Sequence, residues 1–308
     1  MSVKAFVQQG WADHATDAEG VYLRFDDGIA LASEIGDLGA LAMLITHVAG
    51  EHLGRWHDGV ALLDRLVAHH AFDAAQPVGR AVHRCRAVLY RCAGDDAAEA
   101  AFDECRSPDA PVASDRVRML GTVTSAFAGQ RRPADAAATF AEALDLAEGL
   151  SNDDPAVRSL AMAGNNLACE LEVRQDRGAP EDALLRQAAT TARTYWALCG
   201  TWENVKIAEY RLCMTMLALG EPGTAVAHAE AAIALCDAND GSAQDRFFPL
   251  EALCKAQLAR DDRSAATEAR DAAARALASL DEPPPWLSAA LVELDALLTP
   301  SSSGPSPA

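Results

Sequence analysis

Apolar side chains recur along this chain at three- and four-residue intervals, in stretches of about fifteen residues, and each stretch stops at a short polar break containing Gly, Pro or Asp. The clearest unit runs from Thr201 to Asp240. Ala208, Leu212, Cys213, Met216 and Leu219 fall on one helical face, Gly220-Glu221-Pro222-Gly223 interrupts it, and Ala225, Ala229, Ala232, Ile233 and Cys236 form a second face. Two amphipathic helices joined by so short a turn must pack antiparallel. The layout recurs, which predicts units over 1–36, 38–72, 77–107, 111–150, 155–198, 201–240 and 242–280 and a closing helix over 286–298. In the first unit the pattern reads as a long helix through Leu23, Phe25, Ile29 and Ala32, and the third lacks a clean break. The tail 300–308 (PSSSGPSPA) can bury nothing and is expected to be disordered.

Small residues mark the start of each second helix: Gly59, Ala98, Ala136, Ala183, Ala225 and Ala266. They recur about every forty residues, a period that belongs to helical repeat arrays. With Leu53-Gly54-Arg55-Trp56, Phe127 through Ala136, Phe140, Ala143 and Leu144, then Asn165-Asn166-Leu167-Ala168 and Leu219-Gly220, the chain resembles the tetratricopeptide repeat (TPR) proteins. The match is to their long-period form, as in kinesin light chains. The resemblance implies an all-α, right-handed α-solenoid (superhelix) of antiparallel helix pairs with a C-terminal capping helix. It also implies a concave surface lined by the first helix of each pair. On that surface it places Arg84, Arg91, Arg118, Asn165, Glu172, Tyr210, Met214, Phe248 and Lys255 as candidates for holding a peptide or partner helix. Arginine suits a carboxylate or phosphate, and Asn can donate to and accept from a peptide backbone at once.

Composition narrows the reading. Hydrophobic residues make up 50% and aromatic residues only 6%, so an alanine-rich helical core is favoured over strands. A formal net charge of −19 opposes nucleic acid and anionic lipid as general partners. Eight cysteines, none in a C-x-x-C pair, and no apolar run of membrane-spanning length point to a reduced, cytoplasmic protein without disulfide or zinc framework. The expected partner is a protein or peptide of acidic character, with no cofactor, and self-association stays open.

Seven of eight histidines lie between His14 and His83. His47 and His52 are five apart on one predicted helix, with His57 just beyond it, but no H-E-x-x-H and no i, i+4 pair accompanies them, so packing histidines are expected and no metal is assigned. No phosphate loop or nucleophile elbow is present, and the Asp pairs at 26–27, 95–96, 153–154 and 261–262 read as helix caps. The function that the TPR resemblance implies is a non-enzymatic protein-interaction scaffold binding a peptide or partner helix in a concave groove. The rivals are a sensor module for a small ligand or signalling peptide and, further off, a metal-dependent enzyme built on the N-terminal histidines.

Overall fold

The computed structural model describes residues 1–299, so the tail 300–308 lies outside the described residues. No strand is present among the described residues. The helices are α1 (Val3–Asp13), α2 (Ala18–Tyr22), α3 (Phe25–Leu31), α4 (Ile35–Ile45), α5 (Trp56–Val67), α6 (Pro77–Ala93), α7 (Ala98–Cys105) and α8 (Val112–Gly129). They continue with α9 (Pro133–Ala147), α10 (Pro155–Glu172), α11 (Ala179–Cys199), α12 (Trp202–Ala218), α13 (Pro222–Ala238), α14 (Ala243–Ala259), α15 (Arg263–Ala278) and α16 (Pro285–Leu298). Helix α4 passes directly into a π-helical segment, Thr46–His52. Proline opens α6, α9, α10, α13 and α16, where its missing N–H is one of the donors a helix leaves unpaired anyway.

The chain divides into two units, Met1–Ala163 and the residues from Gly164 onward, and the division falls within α10. In the first unit, α6 packs on α7 and α8 on α9. Phe25, Leu38, Leu41, Leu44, Ile45, Leu63, Leu66 and Leu89 are completely buried there. In the second unit, α12 packs on α13 and α14 on α15, and α16 covers α14 and α15 through Leu287 and Leu294. Alanines supply much of its core: Ala188, Ala192, Ala208, Ala225, Ala229, Ala232 and Ala252 have no exposed surface. These are helix pairs joined by short turns, as the periodicity predicts.

One turn closes four of the pairs. A residue one or two positions past the first helix takes positive φ: Gly94 (69°), Arg131 (55°), Gly220 (72°) and Asp261 (61°). The next N–H then reaches back five residues to a helix carbonyl: Asp95 to Tyr90, Arg132 to Phe127, Glu221 to Met216 and Asp262 to Gln257. This is the Schellman closure, which satisfies carbonyls that the helix end leaves bare. The unit at 77–107 therefore does break cleanly, at Gly94. In the pair formed by α4 and α5 the turn residue is Gly54 (φ 63°), but there the closing bond runs six residues, from Arg55 N–H to the Ala49 carbonyl. The π-helix accommodates the additional residue.

Two local expectations are corrected. The long helix through Leu23 is broken: α2 stops at Tyr22, Arg24 adopts φ −97° and ψ −1° while its Nε donates to the Gly20 carbonyl, and Leu23 is exposed. Ala183 is exposed rather than marking a close contact. In α11 that role moves to Ala188 and Ala192: a Cβ on Gly164 would lie 2.6 Å from the Ala188 carbonyl oxygen and 3.0 Å from Ala192 N. Pro249 inside α14 cannot donate to the Asp245 carbonyl, and the Cys236 thiol donates to it instead, at 3.5 Å.

Candidate functional site

In the first unit, Arg84 on α6 and Arg118 on α8 are brought together. Their guanidinium groups stand 3.8 and 3.7 Å from one carboxylate, Asp115, whose side chain is 2% exposed. Asp115 also accepts the Ser107 N–H at 2.6 Å, which ties the loop before α8 to the site. With Arg80, these two arginines line a cavity of about 230 Å³ floored by Pro77, Cys105, Ser114, Asp115 and Pro155. Arg80 donates to the Ala75 carbonyl, an uncharged partner. Three guanidinium groups thus face a single lining carboxylate. Burial and the neighbouring Arg84 push the Arg118 pKa below its usual value, with Asp115 and Asp154 opposing. Burial pushes the Cys105 thiol up to about 11, so it stands here as a neutral wall and not as a nucleophile.

Arg91 does not join them. It lies two turns further along α6, where α7 and α9 contribute acidic side chains, and it pairs with Glu142 at 3.3 Å. The recess it lines, about 540 Å³, also carries Asp95, Asp96, Glu99, Asp135 and Glu142. The basic face expected along α6 is therefore two sites of opposite charge.

In the second unit, the predicted residues gather in two groups. Glu172 accepts from Arg211 at 2.7 Å, and Asn165 Nδ2 lies 3.9 Å from Cys169 Sγ, a group that Arg211 also influences electrostatically. Asn165 Oδ1 and Arg211 Nε are both buried without a hydrogen-bond partner. An unpaired acceptor and an unpaired donor in one neighbourhood are costly unless something completes them. Arg211, which sequence reasoning missed, is the residue after Tyr210 and offered no signal beyond its charge. Around Tyr210 an aromatic row forms: Phe248 meets it edge-on at 5.9 Å, and Trp286 stacks on Phe248 at 5.4 Å. Burial and the Glu251 carboxylate raise the Tyr210 pKa, so its hydroxyl stays protonated. Lys255 is held by Glu251 at 2.5 Å, and Met214 is half-buried on α12.

Of the histidines, His57 is exposed and 3.9 Å from Asp95, whereas His14, His47 and His52 present ring nitrogens within 4.8 Å of one another. Among the described residues this is the group of side chains arranged to hold a metal ion. No helix is long and apolar enough to cross a membrane, among the described residues.

The fold defines an all-α protein of TPR-like helix pairs. No family model matches the chain, and no curated protein matches it. Among solved structures it is similar to BtubC (BKLC) from P. vanneervenii, with 17% identity over 76% of this chain and 93% of that one and a TM-score of 0.45. It is also similar to a Podosopora anserina putative kinesin light chain with nearly identical TPR-like repeats, with 16% identity over 80% and 97% of the two chains and a TM-score of 0.43. The apo form of RapI matches with 10% identity over 96% and 81% and a TM-score of 0.48.

Proposed function

We propose that the chain is a non-enzymatic protein-interaction scaffold that captures an acidic peptide or helix. The observation that carries this reading is the cavity where Arg80, Arg84 and Arg118 outnumber Asp115 in a protein of net charge −19. Placing like charges together without matching counter-charge is unfavourable, and an arriving carboxylate or phosphate relieves it with charge-assisted hydrogen bonds. The cavity, about 230 Å³, suits one anionic group of a longer ligand, being smaller than the ~300–1,000 Å³ typical of sites that enclose a whole small molecule. That volume favours a peptide over the small-ligand sensor. In the second unit, the Tyr210–Phe248–Trp286 row, whose Trp286 is 49% exposed, offers apolar contact to a partner.

The test is a selection of displayed random peptides on the wild-type chain and on Arg84→Glu/Arg118→Glu, both confirmed helical. Enrichment of peptides rich in Asp and Glu on the wild type, lost on the double variant, is the expected outcome. The same peptides emerging from both proteins would remove the basic cavity as the binding surface.

A further inference from the structure

We propose that His14, His47 and His52 form a three-imidazole site for a divalent transition ion of the zinc class, bound through their Nε2 atoms with a further coordination position open to solvent. Two features of the chain build it. In an α-helix at 3.6 residues per turn, side chains five apart point about 140° away from each other. In the π-helix Thr46–His52 the i→i+5 bonding widens the coil to roughly 4.4 residues per turn, so residues five apart differ by only about 50° and His47 and His52 stand on nearly the same face, with their Nε2 atoms 3.1 Å apart. That separation is close to the roughly 3.3 Å between neighbouring ligand atoms around a tetrahedral ion with bonds of about 2.0–2.1 Å. Helix α1 brings the third ligand, because Gly10 lies so near Leu44 that a Cβ there would come within 2.5 Å of it. His14, one residue past the end of α1, is thereby set beside both rings, with centroids 4.8 Å from His47 and 5.0 Å from His52.

The outer contacts fix which nitrogen is free. His14 Nδ1 is 2.8 Å from the Trp11 carbonyl oxygen, which can only accept, so the proton sits on Nδ1 and Nε2 carries the lone pair. His47 Nδ1 is 3.0 Å from the Glu51 carboxylate, which fixes the same tautomer and strengthens Nε2 as a ligand. Glu51 is held in its turn: Gln130 Nε2 donates to its carbonyl at 2.8 Å, and Gly129 approaches it too closely for any side chain. Without an ion, the His52 Nε2–H can donate to His47 Nε2. Nitrogen ligands of this kind select zinc, copper or nickel over magnesium or calcium.

The experiment uses the full chain, free of any affinity tag, stripped with EDTA and desalted. It is titrated with ZnCl2 by calorimetry and with CoCl2 by visible absorption. One Zn²⁺ per chain is expected, with cobalt d–d bands of low-symmetry coordination. Binding should fall more than tenfold in His14→Ala and in His52→Ala, and about 10–100-fold in Glu51→Gln, which removes only the orienting charge. His69→Ala/His70→Ala, a neighbouring pair with ring centroids 4.2 Å apart, should bind as the wild type does. On the unaltered chain, histidine-selective NMR should show zinc shifting three imidazoles, which keeps the test independent of variant folding. Sub-stoichiometric binding, binding unchanged in His14→Ala/His52→Ala, or zinc shifts confined to other histidines would each overturn the assignment in favour of aromatic packing with Trp11.

Discussion

Replacing Asp115 with Asn tests the charge imbalance on which the anion reading rests. The amide oxygen can still accept the Ser107 N–H, so the substitution removes charge and little else. Two guanidinium groups stand 3.7 and 3.8 Å from that carboxylate. At an effective dielectric of about 20, each contact is worth about 4 kcal/mol before desolvation is charged against it. Breaking a buried pair by removing one partner costs about 3–5 kcal/mol. Arg84 and Arg118 are 16% and 34% exposed, however, so water takes up part of the orphaned charge. A net loss of about 2–3 kcal/mol is expected, read as a lower urea midpoint at unchanged slope. Anion binding moves the other way, because the cavity now carries three uncompensated guanidinium groups. Inorganic phosphate should therefore stabilise Asp115→Asn more than the wild type, approaching about 2.7 kcal/mol at a hundredfold excess over its Kd. A variant within about 0.5 kcal/mol of wild type, or equal phosphate stabilisation of both proteins, would refute the reasoning.

Three further outcomes follow from the packing and titration of the second unit and the buried thiols. Gly164→Ala gains about 1 kcal/mol of helix propensity but pushes a methyl against backbone atoms of Ala188 and Ala192 that cannot rotate away, and overpacking of about 1–3 kcal/mol wins; urea unfolding showing a stabilised variant would contradict this. Glu209 is buried, which raises its pKa, but hydrogen bonds from His228 at 2.7 Å and from Arg193, with their charges, pull it below 4.5 overall. A depressed carboxylate pKa stabilises the fold above pH 4.5 and loses that contribution as the pH falls toward the folded value, so Glu209→Gln should flatten the acid limb of a stability profile; parallel profiles would exclude it. Burial pushes Cys92 and Cys213 up to about 12. At pH 8 only about one thiol in ten thousand is then ionised, so iodoacetamide should label them, by mass spectrometry, only after unfolding.

The helix pairs were legible because alanine and glycine punctuate the chain where helices meet and turn. Gly94, Gly220 and the polar breaks at Arg131 and Asp261 all take positive φ. What periodicity misjudged, it misjudged for local reasons. Leu23 fits a helical face, but the backbone at Arg24 stops the helix there. Ala183 fits the spacing of small residues, but α11 begins earlier and meets α10 at Gly164. The candidate residues on first helices were legible singly and not in their grouping. Arg84 and Arg91 share a face of α6, yet the helices opposite give one an excess of arginine and the other an excess of carboxylate. Sequence names the residues on a face and is silent on the face they meet.

The histidine cluster is a sharper instance, since the rule that hid it is the rule that found the fold. A 3.6-residue period assigns His47 and His52 to different faces, and no template pairs either with His14, thirty-three residues earlier than His47. Four of the pairs close with a five-residue backbone bond, whereas the pair holding these histidines closes with six, from Arg55 to Ala49. One residue more between the helix and its turn must go into a wider coil, and the π-helix is that coil. The same residue that disturbs the repeat thus turns His52 back over His47. Deleting Leu53, beyond His52, should restore an ordinary α-helix and the five-residue closure while keeping His47 and His52 five residues apart, about 140° around that helix, so that zinc binding is lost in a chain that still folds. A deletion variant that binds zinc as the full chain does would separate the π-helix from the site and leave its presence without a role.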